Sequence, residues 1–211
     1  MKSPALFIVL VLLFPCAIYS QVFGLKIGGN HSFMDESRFP FFNAEKFASK
    51  GGWHFGLYGD VPFNEKFGFQ VEVLYNRKGV GIGMAGGGKD NANYEYFDWP
   101  ILVYYQWRGI QFQLGGSAGM ILNHYFFDRE LGTRMNFEFG EWKRRFDIGV
   151  LGGLEYQRGR YQPGLRYEVA LTHTAKNISI STSNNTIEGF ILGGYHRNLM
   201  ISVGYDIIKK G

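Results

Sequence analysis

A strict two-residue beat limits what this chain can fold into more than any other feature of it. Phe67, Phe69, Val71, Val73 and Tyr75 alternate with Gly68, Gln70, Glu72, Leu74 and Asn76. The same beat returns in Phe146, Ile148, Val150, Gly152, Leu154 and Tyr156, and again in Leu199, Ile201, Val203, Tyr205 and Ile207. Successive side chains of a strand point to opposite faces, so each segment carries one apolar face and one face of glycine and polar groups. A soluble sandwich turns the apolar face inward and a membrane barrel turns it outward; the period alone fits both.

Composition separates the two. The 211 residues, enough for one domain, include 30 Gly, 20 Phe and 13 Tyr, with only 19% charged residues. Glycine weakens a strand interior, and that cost is offset where alternate side chains must fit a narrow lumen. The mean hydropathy of −0.13 fits a barrel, because lipid-facing and lumen-facing residues cancel in the average. We therefore expect an all-β fold, an eight-stranded antiparallel up-and-down transmembrane β-barrel.

Residues 1–20 read as a signal peptide. Lys2 supplies the positive start, Ala5 to Phe14 the apolar centre and Ala17 to Ser20 the small-residue exit, with cleavage expected before Gln21. The outer-membrane β-barrel domain then takes residues 21–211. The apolar run is shorter than the about 20 residues a transmembrane helix needs. Cys16, the one cysteine, lies inside this leader, where Phe14 and Pro15 ahead of it suit lipidation poorly. The mature chain would thus hold no disulfide and depend on its closed ladder. Removing Lys2 leaves 21 basic residues of 22 against 18 acidic ones, a weak balance that points to no nucleic-acid partner.

Eight segments keep the beat: 22–33, 52–61, 66–78, 93–106, 109–122, 145–157, 160–174 and 197–208. Long connections (34–51, 79–92, 123–144, 175–196) alternate with brief ones (62–65, 107–108, 158–159). Outer-membrane barrels pair short periplasmic turns with long extracellular loops in this way, and an even strand count returns both termini to the periplasm. Aromatic residues sort by strand end: Phe23, Tyr104, Tyr105, Trp107, Tyr156, Tyr161 and Tyr205 at the periplasmic side, Trp53, Tyr75, Tyr94 and Trp142 at the outer side. Two interfacial girdles are the expectation. The stretch 186–194 is also strand-like; it either pairs with 177–182 as a hairpin above the membrane or extends the last strand, which leaves ten strands as an alternative.

Several blocks together carry a resemblance. They are Phe23 to Asn30, the run Tyr96, Phe97, Asp98, Trp99, Pro100, Ile101, Leu102, then Gly152 to Tyr156, Gly164 to Tyr167, and the closing Ile201 to Tyr205. In order and spacing they resemble the PorT-like outer-membrane β-barrel family of Bacteroidota over essentially the whole mature chain. The resemblance implies a barrel in the cell outer membrane; most such proteins have no assigned role, and the namesake is tied to a secretion system.

The lumen of eight strands is wide enough only for side chains. Lys26, Glu72, Asp98, Glu155, Arg166, Glu168 and Asp206 share the inward parity, and we expect Lys26 and Arg166 to bridge several of the carboxylates. The run 83–90, GMAGGGKD, matches a phosphate loop through Gly88 and Lys89, then fails, because Asp90 stands where a Ser or Thr must hold Mg²⁺ and no helix follows. The five histidines, His31, His54, His124, His173 and His196, have no metal-ligand spacing. His173 falls near the outer rim, at the height where a lipid-directed esterase would place a catalytic His, but no Ser stands beside it. Lys143, Arg144 and Arg145 form the sharpest basic cluster, at the level of lipopolysaccharide phosphates. Asn177 and Asn184 each begin a glycosylation sequon.

These residues predict a non-enzymatic outer-membrane protein with no cofactor and no metal. Its expected partners are outer-membrane lipid and lipopolysaccharide, together with an envelope or secretion-system protein met through the long outer loops. Two alternatives stay open: an enzyme modifying lipid A or phospholipid, and a soluble secreted barrel binding an apolar ligand.

Overall fold

The computed structural model describes residues 22–35, 48–83, 89–128, 133–136, 146–172, 178–182, 185–190 and 195–209. The alternating segments form β1 (Val22–Asp35), β2 (Ala48–Pro62), β3 (Phe67–Gly83), β4 (Lys89–Trp107), β5 (Ile110–Asp128), β6 (Thr133–Asn136), β7 (Phe146–Tyr156), β8 (Tyr161–Ala170), β9 (Ile178–Thr182), β10 (Asn185–Phe190) and β11 (Tyr195–Lys209). Eight of them run in the order β4, β3, β2, β1, β11, β8, β7, β5, and β5 pairs back onto β4. Every pairing is antiparallel, so the sheet is a closed eight-stranded barrel without a free edge around its wall.

Burial settles the direction of the beat. Ile27 is 67% exposed and Leu114 72%, whereas Glu72 and Asp206 are 0% exposed. Apolar side chains cover the outside and charged ones fill the inside, the inverse of a soluble protein and the arrangement a bilayer requires. A soluble barrel holding an apolar ligand needs the opposite orientation and is set aside.

One rim carries only tight turns. Arg108 and Gly109, at φ of 49° and 83°, join β4 to β5, and the Asn64 side-chain oxygen accepts from the amides of Lys66 and Phe67 at 2.9 Å each to close the β2–β3 turn. Short turns mark the periplasmic rim of an outer-membrane barrel. The other rim carries the long connections. There β3, β4 and β5 continue well past the expected strand ends, β6 pairs with the tip of β5, and β9 pairs with β10 in a separate hairpin. The strand-like stretch near residue 186 is thus a hairpin apart from the wall, and the wall has eight strands, not ten. Gly83 and Lys89 pair across the β3–β4 ladder, so the glycine-rich run spans a hairpin tip, with 84–88 outside the described residues.

The girdles need one correction. Trp107, Tyr156, Tyr161 and Tyr205 are exposed at the turn end, and the Tyr161 ring lies 5.3 Å from that of Tyr205, tilted by 60°. Trp53, Phe55 and Tyr75 cluster outside toward the loop end. Tyr94 and Tyr104, however, are 0% and 5% exposed and face the lumen. Both share the even parity of Asp98, and parity along a strand decides the face whatever the height. Trp142 and the leader 1–20 lie outside the described residues.

Candidate functional site: the charged lumen

Inward parity brings four side chains from four strands to the middle of the lumen. Lys26 on β1 donates to Glu72 Oε1 on β3 at 2.5 Å and to Glu155 Oε1 on β7. Arg166 on β8 donates to both Glu72 oxygens at 2.7 and 2.8 Å and to Glu155 Oε1 at 2.6 Å. Its Nε donates to Gln113 Oε1, and the Nη2 that it shares among the carboxylates also reaches Gln70 Oε1, each at 2.9 Å. Two cations and two carboxylates, all at most 3% exposed, form a neutral quartet with nearly every guanidinium position filled. Such a set holds only when complete, because removing one member leaves a buried charge uncompensated.

A second group stands nearer the outer rim. Lys78 Nζ lies 3.1 Å from Asp98 Oδ2 and 2.9 Å from Glu168 Oε2. Asn76 donates to Asp98 at 2.9 Å and Ser117 to Glu168 at 2.7 Å. Toward the periplasm, Asp206 accepts from the Tyr58 hydroxyl and from Gln162 Nε2, the latter at 2.9 Å. Counting every described charged side chain that is buried, seven carboxylates face three cations. Acidic side chains therefore outnumber basic ones in the lumen.

The structure gathers six of the seven expected lumen residues into two ion-paired groups, and places Asp206 in a third. It also adds members that the sequence reading passed over. Lys78 has the parity of Glu72, six residues on, and was readable on that basis. Asp60 and Asp147 are inward by the same rule. His124 was not readable: Leu122 is an extra residue opposite Glu95 and Tyr96, and this bulge moves the inward position from Ile121 to His124. His124 then stacks on Tyr94 at 4.3 Å, with His196 edge-on to the same ring at 5.3 Å. These three buried rings form an aromatic cluster toward the outer end of the lumen.

Glycine makes room for the large groups. A Cβ on Gly24 would sit 2.5 Å from the Tyr58 ring, and one on Gly153 2.5 Å from Arg166 Cγ. The middle of the lumen is filled, as the width of eight strands leads one to expect. Among the described residues no group of three His, Cys, Asp or Glu has the arrangement to hold a metal ion. Lys143, Arg144, Arg145, His173, Asn177 and Asn184 lie outside the described residues.

A family model described as outer membrane protein beta-barrel domain matches residues 20–176. Among solved structures the chain is similar to Neisserial surface protein A, with 12% identity, 88% of this chain and 97% of that one covered, and a TM-score of 0.52. It is similar also to the outer membrane protein OprG from Pseudomonas aeruginosa, with 13% identity, coverage of 90% and 97%, and a TM-score of 0.49. A third similarity is to Ail, the attachment invasion locus protein of Yersinia pestis, with 12% identity, coverage of 88% and 98%, and a TM-score of 0.45. At these identities the likeness is one of fold. No curated protein matches the sequence closely enough to count as a relative.

Proposed function

Because the chain belongs to the outer membrane protein beta-barrel domain family, we propose a role carried by its outer surface and not by catalysis. It is a non-enzymatic outer-membrane barrel that meets an envelope, adhesion or secretion partner through the sheet and loops on its outer side. The observation that carries this reading is the uneven height of the wall. β3, β4 and β5 have 17, 19 and 19 residues, while β8 has 10 and ends before Leu171. About 9–11 tilted residues suffice to cross the bilayer. The turns hold one end of each hairpin at the periplasmic rim, so the surplus stands outside. The ladder continues through it, with Gly83 opposite Lys89 and Asn91 opposite Phe127, and β6 adds a fourth strand. A paired sheet standing clear of the membrane is a rigid platform for recognition, and barrel stability does not require it.

Finer assignments rest on sequence. The PorT-like resemblance favours a secretion-accessory role in a Bacteroidota envelope, and a leader over residues 1–20 would deliver the chain for insertion. Lys143, Arg144 and Arg145 would stand just before β7, which begins at Phe146, where lipopolysaccharide phosphates accept charge-assisted bonds. The enzymatic alternative rests on His173; an unchanged lipid A mass profile after His173→Ala disposes of it.

Crosslinking in intact cells tests the proposal. Photoreactive residues placed in the 123–144 loop are expected to capture a partner, and those in the periplasmic turns to mark a secretion component if one docks from below. Replacing residues 81–91 by a two-residue turn joins Val80 to its cross-strand partner Ala92. That variant should stay in the outer membrane with a heat-modifiable gel band, and should lose the outer crosslinks. Recovery of the wild-type protein in the soluble periplasm would overturn the reading altogether.

A further inference from the structure

The lumen is plugged at its middle yet open below. A cavity of about 380 Å³ enters from the periplasmic rim, bounded by the β2–β3 turn, the ends of β1, β4 and β11, the start of β5 and the approach to the β7–β8 turn. Its inner limit is a polar shelf that includes Tyr104 and Gln111. Beyond the shelf, Gln111 accepts from Gln113, which donates also to Gln70, and the Arg166 quartet lies directly behind. The cavity is therefore a blind vestibule, and an occupant can enter and leave only from the periplasm.

We propose that this vestibule binds a primary ammonium group carried on a short peptide-like chain. This goes beyond the outer-surface reading, since it concerns the opposite side of the membrane and does not depend on it. Charge is the first argument. Asp60, 2% exposed, and Glu65 on the rim both line the vestibule. Among the described residues Lys209 is the one cation lining it, and that amine is already engaged, 3.7 Å from Asp206 and donating to the Gly159 carbonyl at 3.2 Å. Deeper in the lumen the six other buried carboxylates face three cations, and low-dielectric walls carry their field toward an approaching cation.

Hydrogen-bonding character is the second argument. Gln106 donates to Gln157 Oε1 at 3.2 Å across the mouth, and Gln111 lies beneath them. A carboxamide offers two donors and two acceptor positions, so three of them retain capacity for both the N–H and C=O groups of a peptide. Phe63, 63% exposed, adds an apolar lip. The volume lies at the small end of ligand pockets, enough for a chain end and too little for a folded partner. Two periplasmic sources present this chemistry: a lysine near the end of a protein tail, and the diamino acid of a cell-wall stem peptide.

The full barrel in lipid nanodiscs, labelled at its glutamine side chains, can be titrated by NMR with two probes. One is the tripeptide N-acetyl-Ala-Ala-Lys and the other the N-acetylated stem tripeptide Ala-γ-Glu-diaminopimelate, so that the side-chain amine is the one ammonium on each. Saturable shifts of the Gln106, Gln111 and Gln157 signals are expected with at least one probe, and the tighter probe identifies the source. Acetylation of the probe's side-chain amine should abolish the shifts, and Asp60→Asn should weaken binding about tenfold, the scale of one charge-assisted bond. Glu65→Gln, on the exposed turn, keeps the test alive should Asp60→Asn fail to fold, with a weakening of about threefold expected. Absence of shifts with both probes overturns the proposal. So does binding that ignores both the acetyl group and the Glu65 change.

Discussion

Arg166 on β8 holds both carboxylate oxygens of Glu72 on β3, at 2.7 and 2.8 Å, across the full width of the lumen. The two strands stand four places apart in either direction around the eight-stranded wall, so this contact ties opposite sides of the barrel together. Arg166→Met should cost about 3–5 kcal/mol, because Glu72 and Glu155 are left with Lys26 alone. The double variant Arg166→Met, Glu72→Met removes one charge of each sign and should recover a large part of that loss. Urea unfolding in lipid vesicles, followed by the heat-modifiable band, gives both values. A double variant no more stable than the single one would mean that the pair is not coupled.

Wall curvature depends on glycine at a few definable places. A Cβ on Gly56 would fall 1.9 Å from the Val73 carbonyl oxygen, a backbone atom that cannot step aside, whereas one on Gly116 meets nothing nearer than 3.6 Å. Gly56→Ala should therefore destabilise by about 1–3 kcal/mol or block closure, and Gly116→Ala should be close to neutral. The fraction of chain refolded into the heat-modifiable form separates the two substitutions.

The contrast between those glycines marks how far the sequence could be read. Alternation announced the wall because the two faces of each strand meet different solvents, and every residue in Phe67 to Asn76 had to satisfy one or the other. Lys26, Glu72 and Arg166 were readable as lumen residues by parity, and so, in principle, were Lys78 and the inward tyrosines Tyr94 and Tyr104. Height along the strand misled for those tyrosines, since an amphipathic ring suits an interface and a polar lumen equally. The shift at Leu122 leaves no local signature, because a bulge is fixed by the partner strand. The outer reach of β3, β4 and β5 was hidden for the same reason: Gly79, Gly81 and Asn91 have little strand preference of their own and owe their conformation to cross-strand pairing.

The β4–β5 turn offers a local test on the periplasmic rim. Arg108 and Gly109 both have positive φ, at 49° and 83°, the pattern of a two-residue type I′ hairpin that favours Asn followed by Gly. Arg108→Asn should leave stability unchanged or raise it by a few tenths of a kcal/mol, losing only an exposed contact between the Arg108 guanidinium and the Trp107 ring. Gly109→Ala should cost about 1 kcal/mol, because a Cβ is strained at that φ. Equilibrium unfolding of the two variants in the same detergent measures the difference.

Position across the bilayer is tested by charge on the lipid face. Leu114, 72% exposed, and Tyr161, 58% exposed, both point outward, but Leu114 lies four residues into β5 from the turn and Tyr161 begins β8 at the rim. Similar exposure in water would make arginine equally harmless at both positions. In a bilayer the cost of arginine is about 2–4 kcal/mol at the midplane and falls to roughly 0–1 kcal/mol at the interface, where the long side chain reaches the headgroups. Leu114→Arg is therefore expected to lower unfolding free energy in vesicles by several times more than Tyr161→Arg. Repeating the measurement in bilayers of shorter acyl chains should shrink the gap, because the interface then moves toward Leu114. Equal penalties at the two positions in every lipid would place the hydrocarbon core elsewhere on the wall.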